Sequence, residues 1–243
     1  MYRTDLVVEA AQGLGVDSAH RRNIGGIAVT DVRLTGRSAV IAGKPPGRYI
    51  TIEGTPEQRM TAAVLKRALE QLIPPRGRLF AAGLGNPDVV CDSLGAHTAR
   101  WIRPHQGSRY SLAALETDVA ARTGIETAAL VRAAAREIRA QCVIVIDALS
   151  CRDPRRIARS VQLTDSGLAP ASGVGGRREE LSARTVGVPV VAVGVPMAAE
   201  LSGVTRSRTH GGFMVTAGDI DCKAELWAET IAQVLMSLAR VSG

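Results

Sequence analysis

The feature that most constrains the fold is an uninterrupted apolar run, Cys142-Val143-Ile144-Val145-Ile146, which ends at Asp147. The run has the length of a strand and is far shorter than the roughly 20 residues that a membrane-spanning helix requires. Its β-branched residues favour a strand, and apolar side chains at every position are typical of a parallel strand covered on both faces. The sequence therefore predicts a layered fold with this strand at its centre.

Strand and helix patterns alternate on both sides of this run. Further strands are predicted at residues 27–34, 49–52, 79–82 and 188–195, and helices at residues 56–73, 92–103, around 130–138 and near the C-terminal end. This alternation predicts an α/β fold in three layers, with a mostly parallel sheet and helices on both faces. Residues 27–53 are expected to form a hairpin or an edge layer. Because no repeat or break in composition divides the chain, we expect one domain over residues 1–243.

Charge and composition exclude several classes of protein. The formal net charge is +7, and all but three of the 30 basic residues are arginines, scattered along the chain without a long run. Since aromatic residues make up only 3% of the chain, few are present to stack on bases, and we expect no direct nucleic-acid binding. The first residues lack a secretory signal pattern and the four cysteines form no CxxC pair, which predicts a cytoplasmic protein with reduced thiols.

Two aspartates carry the chemistry that this sequence suggests. Asp147 directly follows the apolar run, and Asp92 follows the Gly-rich turn after the strand that begins at Leu79. Because the carboxyl ends of parallel strands meet at one edge of the sheet, both side chains are expected at the same crevice. Two carboxylates in close proximity share a proton, so one can activate a water molecule while the other polarises a carbonyl or protonates a leaving amine.

Other interpretations of the same residues stay open at this point. Asp92 could cap its helix, and Asp147 could satisfy loop amides. A Cys–His dyad could pair Cys91 or Cys151 with His97, and a His/Asp metal site is conceivable although no ligand spacing is recognisable. No cofactor is expected, since the Gly-rich segments at residues 43–44, 83–85 and 173–176 complete neither a P-loop nor a dinucleotide motif.

Several blocks of the sequence resemble, in order, the germination protease family of spore-forming bacteria. These blocks are RTDLVVEA at 3–10, GKPPGRYITIE at 43–53, GLGNPDVVCDSLG at 83–95, TGIETAALV at 123–131, VIVIDALSCR at 143–152, and VQLTDSGLAPASGVGGRREELSARTVGVPVVAVGVP at 161–196. The family consists of atypical aspartic endopeptidases that degrade small acid-soluble spore proteins. The combination of blocks is specific, although a single block such as GLGN would not be.

The resemblance implies a fold, a site and partners. The fold would be related to that of hydrogenase maturation endopeptidases, and Asp92 and Asp147 would form the catalytic pair. The other positions that match substrate-binding or active-site segments are Gly83, Gly85, Asn86, Asp165, Ser172, Gly173 and Gly175, the last four in the Gly-rich segment 163–178 that the sequence predicts as a loop. The resemblance further implies a homo-oligomer, a tetramer, with small acid-soluble spore proteins as substrates in the forespore or spore core.

The chain also departs from the family pattern. Cys91 stands where a proline usually precedes the first aspartate, and Ala169, Ala171 and Gly176 replace other usual residues. Family zymogens lose a prosegment beside the RTD motif, which would place a processing bond at Asp5–Leu6. Only Met1 and Tyr2 precede that motif, so zymogen control stays open.

The segment at residues 201–243 resembles the family poorly and forms a divergent C-terminal part of the predicted domain.

Two alternative functions remain open. One is a relative of the hydrogenase maturation endopeptidases, in which Asp92 would contact a metal held by the substrate. The other is a non-catalytic relative that binds spore proteins or DNA.

Overall fold

The structure is a computed structural model that describes residues 4–11, 19–168, 179–201 and 213–239. Within these residues the strands are β1 (Ala19–Ile24), β2 (Ile27–Leu34), β3 (Gly47–Glu53), β4 (Gly77–Gly83), β5 (His105–Gln106), β6 (Tyr110–Glu116), β7 (Cys142–Cys151), β8 (Ser160–Thr164), β9 (Val190–Glu200) and β10 (Met214–Val215). The helices are α1 (Val7–Ala10), α2 (Gly36–Ala42), α3 (Thr61–Glu70), α4 (Leu94–Trp101), α5 (Ala120–Thr123), α6 (Thr127–Glu137), α7 (Ala183–Val186) and α8 (Ile220–Ala239).

The described strands form one mixed sheet in the order β1-β2-β3-β8-β9-β7-β4-β6-β5, with β10 beside β9. Its centre is parallel, since β9, β7, β4 and β6 run in one direction. The neighbours on both sides are antiparallel, which makes the parallel part narrower than the sequence predicts. The side chains of β2 alternate between buried and more exposed positions, a pattern typical of an antiparallel strand with one covered face.

Helices cover both faces of the sheet, and the predicted α/β fold class is confirmed. On one face, Cys142, Ile144 and Ile146 of β7 belong to a core that also includes residues of α3, α4 and α8. On the other face, Val143 and Val145 pack in a second core with residues of α6 and α7. Because β7 is buried on both sides, every position of its first half must be apolar, as the sequence suggests.

Strand β7 is longer than its apolar run. It continues through Asp147 to Cys151 because β9 pairs with it as far as Ala199, with an irregularity between Leu149 and Ser150. Its other neighbour, β4, ends at Gly83 opposite Ile146. Asp147 therefore lies inside β7 and not just after it, at the level where β4 has ended.

The segment 163–178 differs from its predicted form, whereas the predicted C-terminal helix is present. The predicted loop 163–178 begins inside β8, since Leu163 and Thr164 pair with β9. Residues 169–178, with Ser172, Gly173, Gly175 and the departures Ala169, Ala171 and Gly176, lie outside the described residues. In the divergent segment 201–243, the predicted helix is α8, whose Trp227 is fully buried and donates its indole N–H to the Ala158 carbonyl at 2.9 Å. Among the helices that the structure describes, none has the length and apolar character to cross a bilayer.

Candidate active site

Asp147 lies near the centre of the sheet, at the level where β4 has ended and β7 stays paired with β9. It is opposite Gly194 of β9, only 6% exposed, and its Oδ1 accepts a hydrogen bond of 2.9 Å from the amide of Ala148. On the other side of β7, the Leu84 amide donates to the Ile146 carbonyl at 2.9 Å. The backbone of residue 84 therefore runs directly beside Asp147.

Asp92 reaches the same end of the sheet from a different element. It is the last residue of a short 3-10 turn, Val90–Asp92, that follows β4 and contacts both β7 and β9. The half-buried carboxylate accepts a hydrogen bond of 2.7 Å at Oδ2 from the amide of Asn86. Ser93, and not Asp92, is the N-cap residue of α4, so this bond ties the carboxylate to the turn after β4.

Two glycines allow this close packing. Gly85 has a φ of +94°, and a Cβ at this position would lie 2.0 Å from the carbonyl oxygen of Asp92 and 3.1 Å from its Oδ1. A Cβ on Gly83 would lie 2.0 Å from the carbonyl oxygen of Gly95 in α4. The GLG sequence therefore permits backbone-to-backbone contact at this crevice, which is one of the few situations that only glycine tolerates.

The structure thus brings the two aspartates to one short segment of chain, residues 84–86. Asp147 lies beside Leu84, and Asp92 is bonded to Asn86 with Gly85 packed against it. Both residues thus lie beyond the carboxyl end of β4, and the pairing of their carboxyl groups stays a prediction. The arrangement also explains why Asn86 and both glycines belong to the same constellation.

Arg122 of α5 helps to hold the candidate site in place, and the sequence analysis does not identify it. Its guanidinium donates to Oδ1 of Asn86 at 2.9 Å and to Oδ2 of Asp88 at 2.6 Å, and it lies 3.3 Å from Oδ2 of Asp118. The side chain of Asn86 is thereby held while its amide holds Asp92. The only sequence signal was the four-residue spacing of Asp118 and Arg122, which is common on helix surfaces.

Asp165 does not join the other predicted site residues. Its Oδ1 accepts a hydrogen bond of 2.7 Å from the amide of Arg48, at the beginning of β3. The preceding residue, Thr164, pairs with Ala192, two residues before the Gly194 partner of Asp147. Because β8 runs antiparallel to β9, its carboxyl end points away from the crevice, which corrects the expectation that this part of the 163–178 segment lines the active-site side.

The predicted processing bond, Asp5–Leu6, is packed against the sheet. The Asp5 carboxylate accepts hydrogen bonds from the amide and the hydroxyl of Ser150, at 2.8 and 2.6 Å, and the Asp5 carbonyl accepts one of 3.1 Å from Gln162. Leu6 is fully buried. Since Ser150 is three residues beyond Asp147 in β7, this segment docks along the same strand as the candidate site.

Cys91 and Cys151, the two thiols considered for a Cys–His dyad, lack the lowered pKa that such a nucleophile needs. Burial raises the pKa of the Cys91 thiol, and the neighbouring Asp92 raises it further. Burial is also the main cause that raises the pKa of Cys151 to about 12, with a further contribution from Glu9. His97 is engaged elsewhere, with Nδ1 2.8 Å from Oε2 of Glu225. A thiol that stays protonated at neutral pH is a poor nucleophile.

Replacing Cys91 by alanine tests this conclusion. We expect Cys91→Ala to keep cleavage within about twofold of the parent protein, because the thiol only packs beside Asp92 and takes no part in the reaction. The rate of substrate cleavage, measured over pH 6 to about 9, checks the expectation. A loss of activity that Cys91→Ser restores would instead indicate a role for the side chain.

Taken together, the fold and its site define an α/β protein whose candidate active site is a pair of aspartates at the carboxyl ends of parallel strands. In the described part of the chain, no three His, Cys, Asp or Glu side chains are grouped so as to hold a metal ion.

Comparison with known proteins identifies the family. The profile of the germination protease family matches residues 7–218, and the chain belongs to this family. The germination protease of Bacillus velezensis is 32% identical over 231 residues, which cover 81% of this chain and 62% of the relative. That of a Geobacillus species is 34% identical over 243 residues, covering 84% and 65%. The chain therefore spans less than two thirds of the length of these curated relatives.

Among solved structures, a nickel–iron hydrogenase maturation protease from Thermococcus kodakarensis, HycI, aligns with 70% of this chain and 99% of its own chain. The sequence identity is 17% and the TM-score is 0.42.

Proposed function

We propose that this protein is an endopeptidase that uses Asp92 and Asp147 as an acid/base pair to hydrolyse small acid-soluble spore proteins. The observation that carries the proposal is the shared segment 84–86, which lies beside Asp147 and whose Asn86 amide binds the carboxylate of Asp92. Membership of the germination protease family supports the peptidase activity. The particular substrate follows from the family resemblance of the sequence blocks.

The chemistry assigns complementary tasks to the two carboxyl groups. The ionised member takes a proton from a water molecule as its oxygen attacks the carbonyl carbon of the peptide bond. The protonated member donates a hydrogen bond to the carbonyl oxygen and then transfers a proton to the leaving nitrogen as the C–N bond breaks. One water is consumed, and the pair ends with the proton exchanged between its members. The bonds from the amides of Asn86 and Ala148 hold the two side chains in place.

Three further features are part of the proposal. By family resemblance, the protein acts in the cytoplasm of the developing spore and assembles as a homo-oligomer, a tetramer. By the same resemblance, the Asp5–Leu6 bond is a processing site. Analytical ultracentrifugation of the purified protein measures its oligomeric state. N-terminal sequencing shows whether the Asp5–Leu6 bond is cut.

The proposal is tested by incubating the purified protein with a small acid-soluble spore protein and analysing the products by mass spectrometry. We expect two fragments per cut whose masses sum to that of the substrate plus one water. An unrelated protein of similar size and unfolded character serves as the control for general proteolysis. Recovery of an intact substrate bound to the protein would favour the non-catalytic alternative.

A further inference from the structure

Two adjoining grooves lie at the end of the sheet opposite the aspartates, where β4, β6 and β7 begin. The first has a volume of about 580 Å³ and is bordered by Arg76, Arg78, Arg109 and Arg139. The second has a volume of about 450 Å³ and is bordered by Arg132, Arg136, Arg139 and Arg184. Because Arg139 borders both, they form one continuous arginine-lined surface, here called the arginine groove.

The positive charge of the arginine groove is only partly neutralised. Among the residues that the structure describes, no Asp or Glu lines either half of the groove. Ion pairs at the margin engage Arg132 with Glu179 at 3.0 Å, Arg184 with Glu180 at 2.8 Å, and Arg109 with Glu70 at 3.7 Å.

The guanidinium groups of three exposed arginines have no ion pair or side-chain hydrogen bond with any described residue; these are Arg76, Arg136 and Arg139. Several like charges around a concave surface repel one another, and an anionic partner would relieve that repulsion.

The floor of the second half identifies the kind of anion. It is formed by the aliphatic side chains of Ala135, Ala140, Val186 and Val188. Phosphate groups have no apolar part to cover such a floor. A base-stacking surface is also missing from the lining, and the nearby Tyr110 is buried beneath the guanidinium of Arg109, 5.1 Å from its ring centre. An acidic peptide with apolar side chains can pair its carboxylates with the arginines at the rim and cover the aliphatic floor with its apolar side chains.

We propose that the arginine groove is a docking site for an acidic, amphipathic peptide segment of the substrate, separate from the cleavage site. This inference rests on the proposed function, in which the substrate is a protein. Arginine suits the role because its planar guanidinium binds carboxylates through two parallel hydrogen bonds. The groove begins at the level of Cys142, five residues before Asp147 in β7, or ~17 Å along the strand. A single extended substrate chain can therefore reach both places, and docking raises the local concentration of the scissile segment.

The test measures peptide binding by fluorescence anisotropy in the Asp147→Asn background, in which cleavage is expected to be slow on the timescale of the measurement. The probe is a labelled peptide of alternating glutamate and leucine pairs. The charge reversal R136E/R139E is expected to weaken binding by about tenfold or more. The matched control R22E/R37E makes the same change in net charge at two exposed arginines of β1 and α2 and is expected to change binding by less than about twofold. The neutral variant R136Q/R139Q is expected to have a peptide affinity between those of the other two variants. It provides a second measurement in case R136E/R139E fails to fold.

Further probes separate the possible partners. A glutamate-only peptide of equal charge should bind more weakly than the glutamate–leucine peptide, and inorganic phosphate and duplex DNA should not compete at matched ionic strength. Equal losses of peptide affinity in R136E/R139E and R22E/R37E would overturn the inference. Tighter binding of duplex DNA than of the peptide at Arg136 and Arg139 would overturn it as well. Cleavage of a short neutral peptide by R136E/R139E, with Asp147 restored, should persist, so that loss of docking is distinguished from failure of the proposed activity.

Discussion

Asp147→Asn is expected to lower the rate of peptide hydrolysis by about 10²–10⁴-fold while leaving the protein folded. The amide of asparagine has the shape of the carboxyl group, and its oxygen can still accept the hydrogen bond from the Ala148 amide. It cannot take up or release a proton at neutral pH, so the acid/base exchange between the two aspartates stops. General acid–base catalysis contributes about 10²–10⁴-fold to rates, and a loss in that range is expected in kcat. The initial rate of spore-protein cleavage measures it.

Asp165→Asn is the matched control for this substitution. Asp165 undergoes the same chemical change, but its carboxylate binds the Arg48 amide at the far side of the antiparallel β8. We expect its cleavage rate to stay within about threefold of the parent protein, in line with substitutions away from a reactive site. Circular dichroism and thermal unfolding establish that both variants fold. Full activity of Asp147→Asn would exclude the proposed mechanism, and equal losses in both variants would point to a structural cause.

The sequence is sufficient to predict the strand at the centre of the fold, whereas the position of Asp147 inside that strand is not evident from it. An apolar residue at every position from Cys142 to Ile146 is specific for a strand covered on both faces, and the helices of both faces follow from it. The extension of β7 past Asp147 does not follow from the local sequence, because it depends on pairing with β9, a contact between residues about 50 positions apart in the chain. Periodicity describes only local structure and cannot supply such pairing.

The same limit applies to the residues around the site. The residue type of Arg122 carries no local signal, and its role appears only when α5 is placed beside the turn that contains Asn86. The Gly-rich composition of residues 163–178 predicts a loop, but Leu163 and Thr164 belong to β8, and the antiparallel pairing of β8 sets the direction in which Asp165 leaves the sheet. The family resemblance assigns Gly83 and Gly85 to a substrate-binding or active-site segment, and in the structure their immediate physical role is close backbone packing.

Gly85→Ala is expected to cause a large loss of both stability and activity. At a φ of +94° a residue with a Cβ is strained, at a cost on the order of 1–3 kcal/mol. The added Cβ would also lie 2.0 Å from the Asp92 carbonyl oxygen, a backbone atom that no side-chain rotation can move aside. We therefore expect the free energy of unfolding to fall by about 3 kcal/mol or more, with a decrease in Tm of roughly 6–12 °C.

The effect on activity follows from where the clash occurs. To accommodate the new methyl group, the Val90–Asp92 turn must move away from residue 85, which lengthens or breaks the bond between the Asn86 amide and the Asp92 carboxylate. A displacement of about 1 Å in a catalytic group can cost on the order of 10²-fold in rate. Gly124→Ala is a control that introduces backbone strain without displacing a neighbouring group. Gly124 has a φ of +71°, but no atom lies within 4 Å of an added Cβ. That control should lose only about 1 kcal/mol and keep its activity. If Gly85→Ala proved as stable and as active as Gly124→Ala, the close contact between Gly85 and Asp92 would not be what positions the catalytic aspartate.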